Sequence, residues 1–235
     1  MPYRRLPNTD AARRRALKIA YKKGKEMTPF QLPFSQQTLQ RIQSFLPSFE
    51  RALDQAKSAY SNQVNRSNEY QTYFKKAKMY ISHFIQVFSL GIQRGEIPNE
   101  QIAYFGFHGS LVKVPELHSE ADIIKWGEKL IHGEQQRRNK GLSPMTNPTI
   151  AVVKVRYEQF LEALKFQKTL QKNYHRTLEM VNNMRKEADD IILSIWNEVE
   201  KAFDDLPPSE KRKNSEEFGL IYIFRKGEMK EQDVM

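Results

Sequence analysis

The sequence contains no cysteine, which excludes disulfide bonds, thiolate metal sites and thiol nucleophiles from this chain. Glycine and proline are also scarce, with 10 and 11 residues among 235, and most of the prolines lie outside the segments with a regular apolar repeat. No run of about 18 apolar residues occurs, so we expect no membrane-spanning helix. The positively charged N-terminus has no apolar run behind it, so we expect no secretory signal and a cytoplasmic location.

Acidic residues are scarce in the first part of the chain. Residues 1–26 contain nine Lys or Arg against only Asp10 and Glu26, which places +7 of the formal net charge of +10 in this short stretch. The remainder, residues 27–235, contains 29 basic and 26 acidic residues and is nearly neutral. The basicity therefore lies in an N-terminal arm and not over the whole surface.

A first long helical segment begins at Ser35, a residue type whose hydroxyl accepts a free backbone N–H of the first helical turn. Phe34 and Leu39 occupy the positions of a hydrophobic staple around this cap. The segment runs to Gly91 or Gly95. Of seventeen positions spaced alternately by three and four residues, thirteen are apolar, which predicts a helix with one continuous apolar stripe.

A second long segment begins at Asn147, with Asn147 as the expected cap and Pro148 at the first helical position. It ends at Pro207. Fourteen of its seventeen positions between Ile150 and Leu206 are apolar at the same alternating spacing. The two segments are in phase when Leu39 is aligned with Ile150.

The tails that follow the two segments are also similar. Tyr104–Phe107 resembles Glu217–Leu220, and a short β-type run follows each Phe-Gly pair. Two heptad helices can always be slid into phase, but the matching tails favour an internal duplication. The sequence then divides into four parts. They are a basic arm with a short helix (residues 1–34), a first repeat (35–118), a connecting helix and loop (119–146) and a second repeat (147–235).

The predicted fold class is all-α, a bundle of long helices. If each long segment is one unbroken helix, two helices of roughly 85 Å pack as a rod. If each folds back at its polar middle, a four-helix bundle with a compact core results. The expected turns are Ser61–Glu69 in the first segment and either Gln171–Thr177 or Asn182-Asn183 in the second. We favour the bundle, because a two-helix seam would leave much of the aromatic surface exposed to water.

The region between the repeats contains one well-marked helix. Ser119–Asp122 predicts a capping box at its start, and Gly141 predicts its end. We expect the two β-type runs, 111–114 and 220–224, to pair as a small two-stranded patch.

Candidate metal ligands are present, but their spacing is unsuitable. His108, His118 and His132 lie near several acidic residues, yet intervals of 10 and 14 residues match no standard ligand pair, so we interpret them as unrelated surface residues. A di-iron bundle requires Glu-x-x-His, which does not occur, and we expect no buried acid in the core. We therefore predict no catalytic residue, no metal site and no cofactor.

The basic arm is the feature with a plausible binding partner. Asn8 or Thr9 can cap a helix over Asp10–Glu26, with Ala16, Leu17, Ala20 and Tyr21 on its apolar side. The candidate phosphate-contacting residues are Arg13, Arg14, Arg15, Lys18, Lys22 and Lys25. An anionic membrane suits the same composition less well, because the apolar face is small. A solvated helix that packs on the bundle is the simpler interpretation.

Three stretches, Arg5–Arg13, Asn147–Tyr157 and Ala188–Glu200, resemble a family of all-helical bacterial proteins without an assigned function. The resemblance covers most of the chain and implies a helical fold, but no activity and no site residue. We expect a non-enzymatic helical scaffold or protein-interaction module that binds a protein partner or self-associates. The alternative is a nucleic-acid-associated protein that binds phosphates through its basic arm.

Overall fold

The computed structural model describes residues 2–109 and 112–225. Helices account for nearly all of its regular structure, so the predicted all-α class is confirmed. The elements in chain order are β1 (Tyr3–Arg4), α1 (Asp10–Glu26), α2 (Gln36–Gln93), a 3₁₀ helix (Asn99–Phe105), α3 (Glu120–Asn139), α4 (Ile150–Ala202), α5 (Pro208–Glu216) and β2 (Tyr222–Ile223).

Each long segment is a single helix, so the expectation that it folds back as a hairpin is wrong. Helix α2 has 58 residues and α4 has 53, and both pass through their polar middles without a break. Neither middle contains a glycine or proline that would favour a turn, and the heptad phase is unbroken on both sides. Pro47 lies inside α2 without ending it.

The caps that depend on local sequence form as predicted. Ser35 Oγ accepts the N–H of Thr38 at 3.2 Å, and Thr9 Oγ1 accepts the N–H of Ala12 at 3.2 Å. Ser119 and Asp122 form a complete capping box at the start of α3. Gly141, with φ of 74°, follows the end of α3, as the sequence predicts.

The start of α4 differs from the prediction. Helix α4 begins two residues after Pro148, so neither Pro148 as the first helical residue nor Asn147 as the cap is found. Thr149 takes that role, because its carbonyl accepts the N–H of Val152 at 3.1 Å and that of Val153 at 3.2 Å. Helix α4 therefore begins at Ile150.

The chain forms two compact units. Unit 1 comprises Met1–Tyr60 and Asn173–Met235, and unit 2 comprises Ser61–Lys172. Each unit contains a segment of both long helices, one helix of intermediate length and one short helical element. These boundaries differ from the domains drawn from the repeats, because each long helix contributes to both units.

The core of unit 1 is rich in aliphatic side chains around Trp196 and includes the inner face of α1. Leu17 is fully buried, and Ala16 and Ala20 lie beside it. The residues predicted to form a basic arm therefore belong in part to this core. Gly24 leaves room for the side chain of Leu39. A Cβ atom added at Gly24 would lie only 2.7 Å from Leu39 Cδ1.

The core of unit 2 is richer in aromatic rings. Phe105 of the 3₁₀ helix packs edge-on against Phe84 and Phe88, at ring-centroid distances of 5.7 and 4.6 Å. Gly133 of α3 permits this approach, because a Cβ atom there would lie 2.5 Å from the Tyr104 carbonyl oxygen. Close packing of this kind leaves no space for an additional methyl group.

The burial pattern of α2 recurs at the aligned positions of α4, and the internal duplication itself stays a prediction. Gly219 packs against Ala16 in unit 1, and Gly106 packs against Lys129 in unit 2. Gly219 lies 113 residues after Gly106, whereas Ala16 lies 113 residues before Lys129, so the two contacts are related by an exchange of the two repeats. Many positions that are buried in α2 are also buried at the aligned positions of α4. These pairs are Ile42/Val153, Leu46/Tyr157, Phe49/Phe160, Tyr70/Val181, Ala77/Ala188, Ile81/Ile192, Phe84/Ile195, Ile85/Trp196 and Phe88/Val199.

The small β patch exists, but its partners differ from the predicted pair. β2 pairs antiparallel with β1, so that Tyr3 faces Ile223 and Arg4 faces Tyr222. The run 112–114 forms no strand, and Leu111 lies outside the described residues. β1 and β2 both belong to unit 1, whereas the run 112–114 belongs to unit 2, which accounts for the pairing.

Candidate interaction surfaces

The histidines are dispersed in the structure. His132 Nε2 lies 3.0 Å from the amide nitrogen of Gln136, one turn along α3. Within residues 2–109 and 112–225, no group of three His, Asp or Glu side chains is placed to hold a metal ion.

Unit 2 contains a buried acid, which corrects the expectation that the core holds none. Glu134 is fully buried and pairs with Arg137, whose side chain is 3 % exposed, through an Nη1 to Oε2 hydrogen bond of 2.6 Å. Arg137 Nε also donates to Gln101 Oε1 at 2.9 Å, and Nη2 donates to the Ser143 carbonyl at 3.1 Å. The second Glu134 oxygen accepts the N–H of Met145 at 2.8 Å.

This buried pair ties the end of α3 to the loop behind it. Both carboxylate oxygens and three guanidinium nitrogens have partners, and the guanidinium lies 5.8 Å from the Phe88 ring centroid. A buried charge pair is tolerated when its polar atoms are satisfied in this way. The arrangement is therefore structural, with no free acid or base to offer a substrate.

Arg13, one of the predicted phosphate-contacting residues, is held in an ion-pair network. Its Nε and Nη2 donate to the two carboxylate oxygens of Asp189 at 2.7 and 2.9 Å. Arg185 makes a similar paired contact with Asp10 at 2.8 and 2.7 Å. The hydrogen bond from Arg185, with the charges of both arginines, lowers the pKa of Asp10 despite its partial burial. The network fixes α1 against α4 within unit 1.

The other predicted residues lie on a different side of α1, where they form the α1 stripe: Arg14, Arg15, Lys18, Lys22 and Lys25. Their spacing places them within about 100° around the helix axis. Among the described residues, Arg14 and Arg15 have no polar partner, and Lys22 is 80 % exposed with only a 3.9 Å contact to Glu26. Lys18 pairs with Glu50 at 2.6 Å in a surface contact of small expected energy.

A groove lies between α2 and α4 within unit 2, and we call it the unit 2 groove. The two helices are antiparallel here, because Tyr70 meets Phe160 while Arg66 meets Phe166. Its volume is about 630 Å³, a size that suits a small ligand or a few side chains of a partner. Its lining residues are Arg66, Glu69, Tyr70, Tyr73, Gln159, Glu162, Ala163, Lys165, Phe166, Gln167 and Thr169.

The rim of the groove is mixed in charge. Arg66 pairs with Glu69 at 2.7 Å and lies over the Phe166 ring, 6.0 Å from its centroid. Tyr70 donates its hydroxyl hydrogen to Glu120 at 2.7 Å. Burial and this hydrogen bond raise the pKa of Tyr70 well above its usual range.

Two lining residues combine features that a binding surface requires. Gln167 is only 7 % exposed, and its Oε1 atom has no hydrogen-bond partner. Its neighbour Phe166 has half of its side chain exposed, at 51 %. Sequence reasoning missed this site, although Gln167 interrupts the apolar stripe of α4 and so gave a visible signal. A buried polar atom without a partner is unfavourable in the free chain, so this position needs an explanation.

Comparison with known proteins gave no match. The chain matches no family model, no curated protein and no solved structure. In the part of the chain that the structure describes, no helix has the length and apolar character needed to cross a membrane.

Proposed function

We propose that this chain is a non-enzymatic helical scaffold that holds a helical segment of another protein in the unit 2 groove. The observation that carries the proposal is the buried Oε1 atom of Gln167, a lining residue of the groove, which has no hydrogen-bond partner. Leaving a buried polar atom unpaired is unfavourable by about 1–3 kcal/mol, and a partner that donates to it removes this cost.

A helix fits the groove better than an extended strand does. Two antiparallel helices form the walls, and a third helix packs between such walls through side chains spaced by three and four residues. Phe166 offers an exposed ring for one of these anchors, and aromatic residues carry much of the binding energy at protein interfaces.

The stretch of α2 beside the groove has few features that stabilise it as a helix. Residues 61–69 contain no buried side chain, and they include Ser61, Asn62, Asn65, Ser67 and Asn68, residue types with low helix propensity. Most helical stability in proteins comes from tertiary packing, so a partner helix would stabilise this stretch.

Affinity capture with quantitative mass spectrometry tests the proposal. We expect the wild-type chain to enrich a partner from its source cells, and the Phe166→Ala and Gln167→Leu variants to lose that partner. The control is Val155→Ala, which removes a side chain of similar exposure from α4 outside the groove. Sedimentation velocity of the purified chain shows whether the partner is a second copy. Equal enrichment by all variants contradicts the proposal.

A second candidate function, phosphate binding by a nucleic-acid-associated protein, is supported by the α1 stripe. Five cations share one face, while the apolar face of α1 is buried in the core of unit 1. Such binding weakens steeply with salt, because counterions are released from the nucleic acid. We expect Lys22→Gln/Lys25→Gln to reduce the salt dependence of oligonucleotide binding, and Lys75→Gln/Lys76→Gln on α2 to leave it unchanged.

We place the scaffold in the cytoplasm. The absence of cysteine is compatible with a reducing compartment. Fractionation of the source cells with an antibody against the chain tests this placement, and recovery in the membrane or secreted fraction would contradict it.

A further inference from the structure

The loop between α1 and α2 presents an aromatic ring to solvent. Phe30 has an exposed fraction of 102 %, about twice that of Phe166, the next most exposed phenylalanine among the described residues. Burying a phenylalanine is favourable by about 1.5–3 kcal/mol, so a fully exposed ring is an unfavourable feature for an isolated chain.

The ring is held outward by a defined turn. The N–H of Gln31 donates to the carbonyl of Thr28 at 3.0 Å, and the Thr28 hydroxyl donates to the Gln31 side chain at 3.1 Å. Pro29 occupies the second position of this turn, where its fixed φ is favoured, and Phe30 occupies the third. A ring on such a turn loses little conformational freedom when it is bound.

The turn follows directly after the end of the α1 stripe. Lys22 and Lys25 lie on the last two turns of α1, and Phe30 is five positions beyond Lys25, a reach of about 17 Å at most. A stripe of cations next to a ring with two free faces is the combination used to bind single-stranded nucleic acid. An anionic lipid surface is less well matched, because the central apolar residues of α1 (Ala16, Leu17 and Ala20) are buried, and Phe30 is the fully exposed apolar side chain that the described part of this region offers for insertion.

We propose that Phe30 stacks on a base of a single-stranded nucleic acid whose phosphates lie along the α1 stripe. This inference rests on the second candidate function, phosphate binding by α1. Bases in a duplex are stacked on each other and offer no free face, so the ring makes the chain prefer single strands.

Fluorescence anisotropy with the full-length chain tests the inference. The probes are a labelled oligothymidylate and a labelled duplex of equal length, each at low and moderate salt. We expect Phe30→Ala to weaken single-strand binding by about fivefold or more, without changing the salt dependence or the affinity for duplex. Phe30→Trp should retain the preference for single strands, because its ring also stacks. The matched control is Met79→Ala, an exposed apolar residue on α2.

The other outcomes separate the inference from the function on which it rests. Salt-dependent binding of both probes that Phe30→Ala leaves unchanged overturns stacking, while phosphate binding by the stripe stands. No binding to either probe at low salt overturns both. Binding only to vesicles that contain anionic lipid, reduced by Phe30→Ala, also overturns the inference and assigns the turn to a membrane surface.

Discussion

Units 1 and 2 share an arrangement of helices but hold the end of their intermediate helix by different means. In unit 1 the end of α1 is packed by Leu39 and Phe34 around Gly24. In unit 2 the end of α3 is tied to its following loop by the buried Glu134–Arg137 pair. The offset that aligns Gly106 with Gly219 also aligns Gly24 with Arg137. The same position near the end of the intermediate helix is therefore occupied by an apolar contact in unit 1 and by a buried charge pair in unit 2.

The units also differ in what their surfaces offer. Unit 1 uses charged residues to dock α1, through Arg13, Asp189, Asp10 and Arg185, and leaves the α1 stripe exposed. Unit 2 has the groove with the unpaired Gln167 amide. The two units therefore share a pattern of buried positions, while their surfaces differ in charge and in shape.

The largest expected effect is on the buried pair of unit 2. Arg137→Ala should lower the free energy of unfolding by about 3–5 kcal/mol, because it leaves the Glu134 carboxylate buried without its counter-charge. The double variant Glu134→Leu/Arg137→Met should be more stable than Arg137→Ala, since it removes both charges. Urea unfolding followed by circular dichroism measures the difference, and a loss below about 1 kcal/mol for Arg137→Ala would show that the pair is not stabilising.

A matched pair of glycine substitutions compares the packing of the two units. Gly133→Ala should destabilise by about 1–3 kcal/mol, because the added Cβ meets the backbone carbonyl of Tyr104 in a tightly packed core. Gly24→Ala should be nearly neutral, because the Leu39 side chain can move and alanine favours helix by about 1 kcal/mol. Thermal unfolding of both variants checks the order, and the reverse order would contradict this account of the packing.

Gln167→Leu tests the unpaired amide of the groove. Replacing a buried polar group that lacks a partner by an apolar one of similar size should stabilise the free chain by up to about 1 kcal/mol. Thr177→Val, on the same helix in unit 1, serves as a control because its hydroxyl already donates to the Tyr174 carbonyl at 2.8 Å. Destabilisation by Gln167→Leu in urea unfolding would indicate that the amide has a stabilising partner in solution.

The smallest expected effect is the pH dependence of unit 1. The pKa of Asp10 is lowered from 3.8 in the folded chain, so its stabilising contribution is present above that value and is lost as the pH falls through the lower folded pKa. Asp10→Asn should therefore reduce the loss of stability below about pH 4. Urea unfolding from pH 5 to pH 2.5 provides the measurement, and identical pH profiles for variant and wild type would exclude this contribution.

Sequence reasoning succeeded where the signal is local or periodic. The caps at Thr9, Ser35 and Ser119 depend on residues within one helical turn, and the all-α class depends on the apolar period. The unbroken phase of both stripes indicates continuous helices, and the hairpin prediction is wrong because it assumes that two long helices alone would leave their aromatic surface exposed. That surface is buried by α1, α3 and the tails that follow the long helices.

The features that the sequence did not predict depend on how residues far apart in the chain pack together. β1 pairs with β2 from the opposite end of the chain, and a two-residue strand has no periodicity to reveal it. Glu134 and Arg137 look like an ordinary surface pair on adjacent turns until the fold buries both. The groove required the packing of segments from two different long helices, and only Gln167 marked it in the sequence.

Site-specific photo-crosslinking tests the central claim, that the unit 2 groove holds a helical segment of a protein partner, most directly. A photoreactive phenylalanine analogue replaces Phe166 in one sample and Val155, of similar exposure on the same helix, in another. We expect position 166 to give one discrete adduct, to a partner or to a second copy, whose crosslinked residues lie on one face of a helix, and we expect position 155 to give none. Equal adducts from both positions, or none from either, would contradict it.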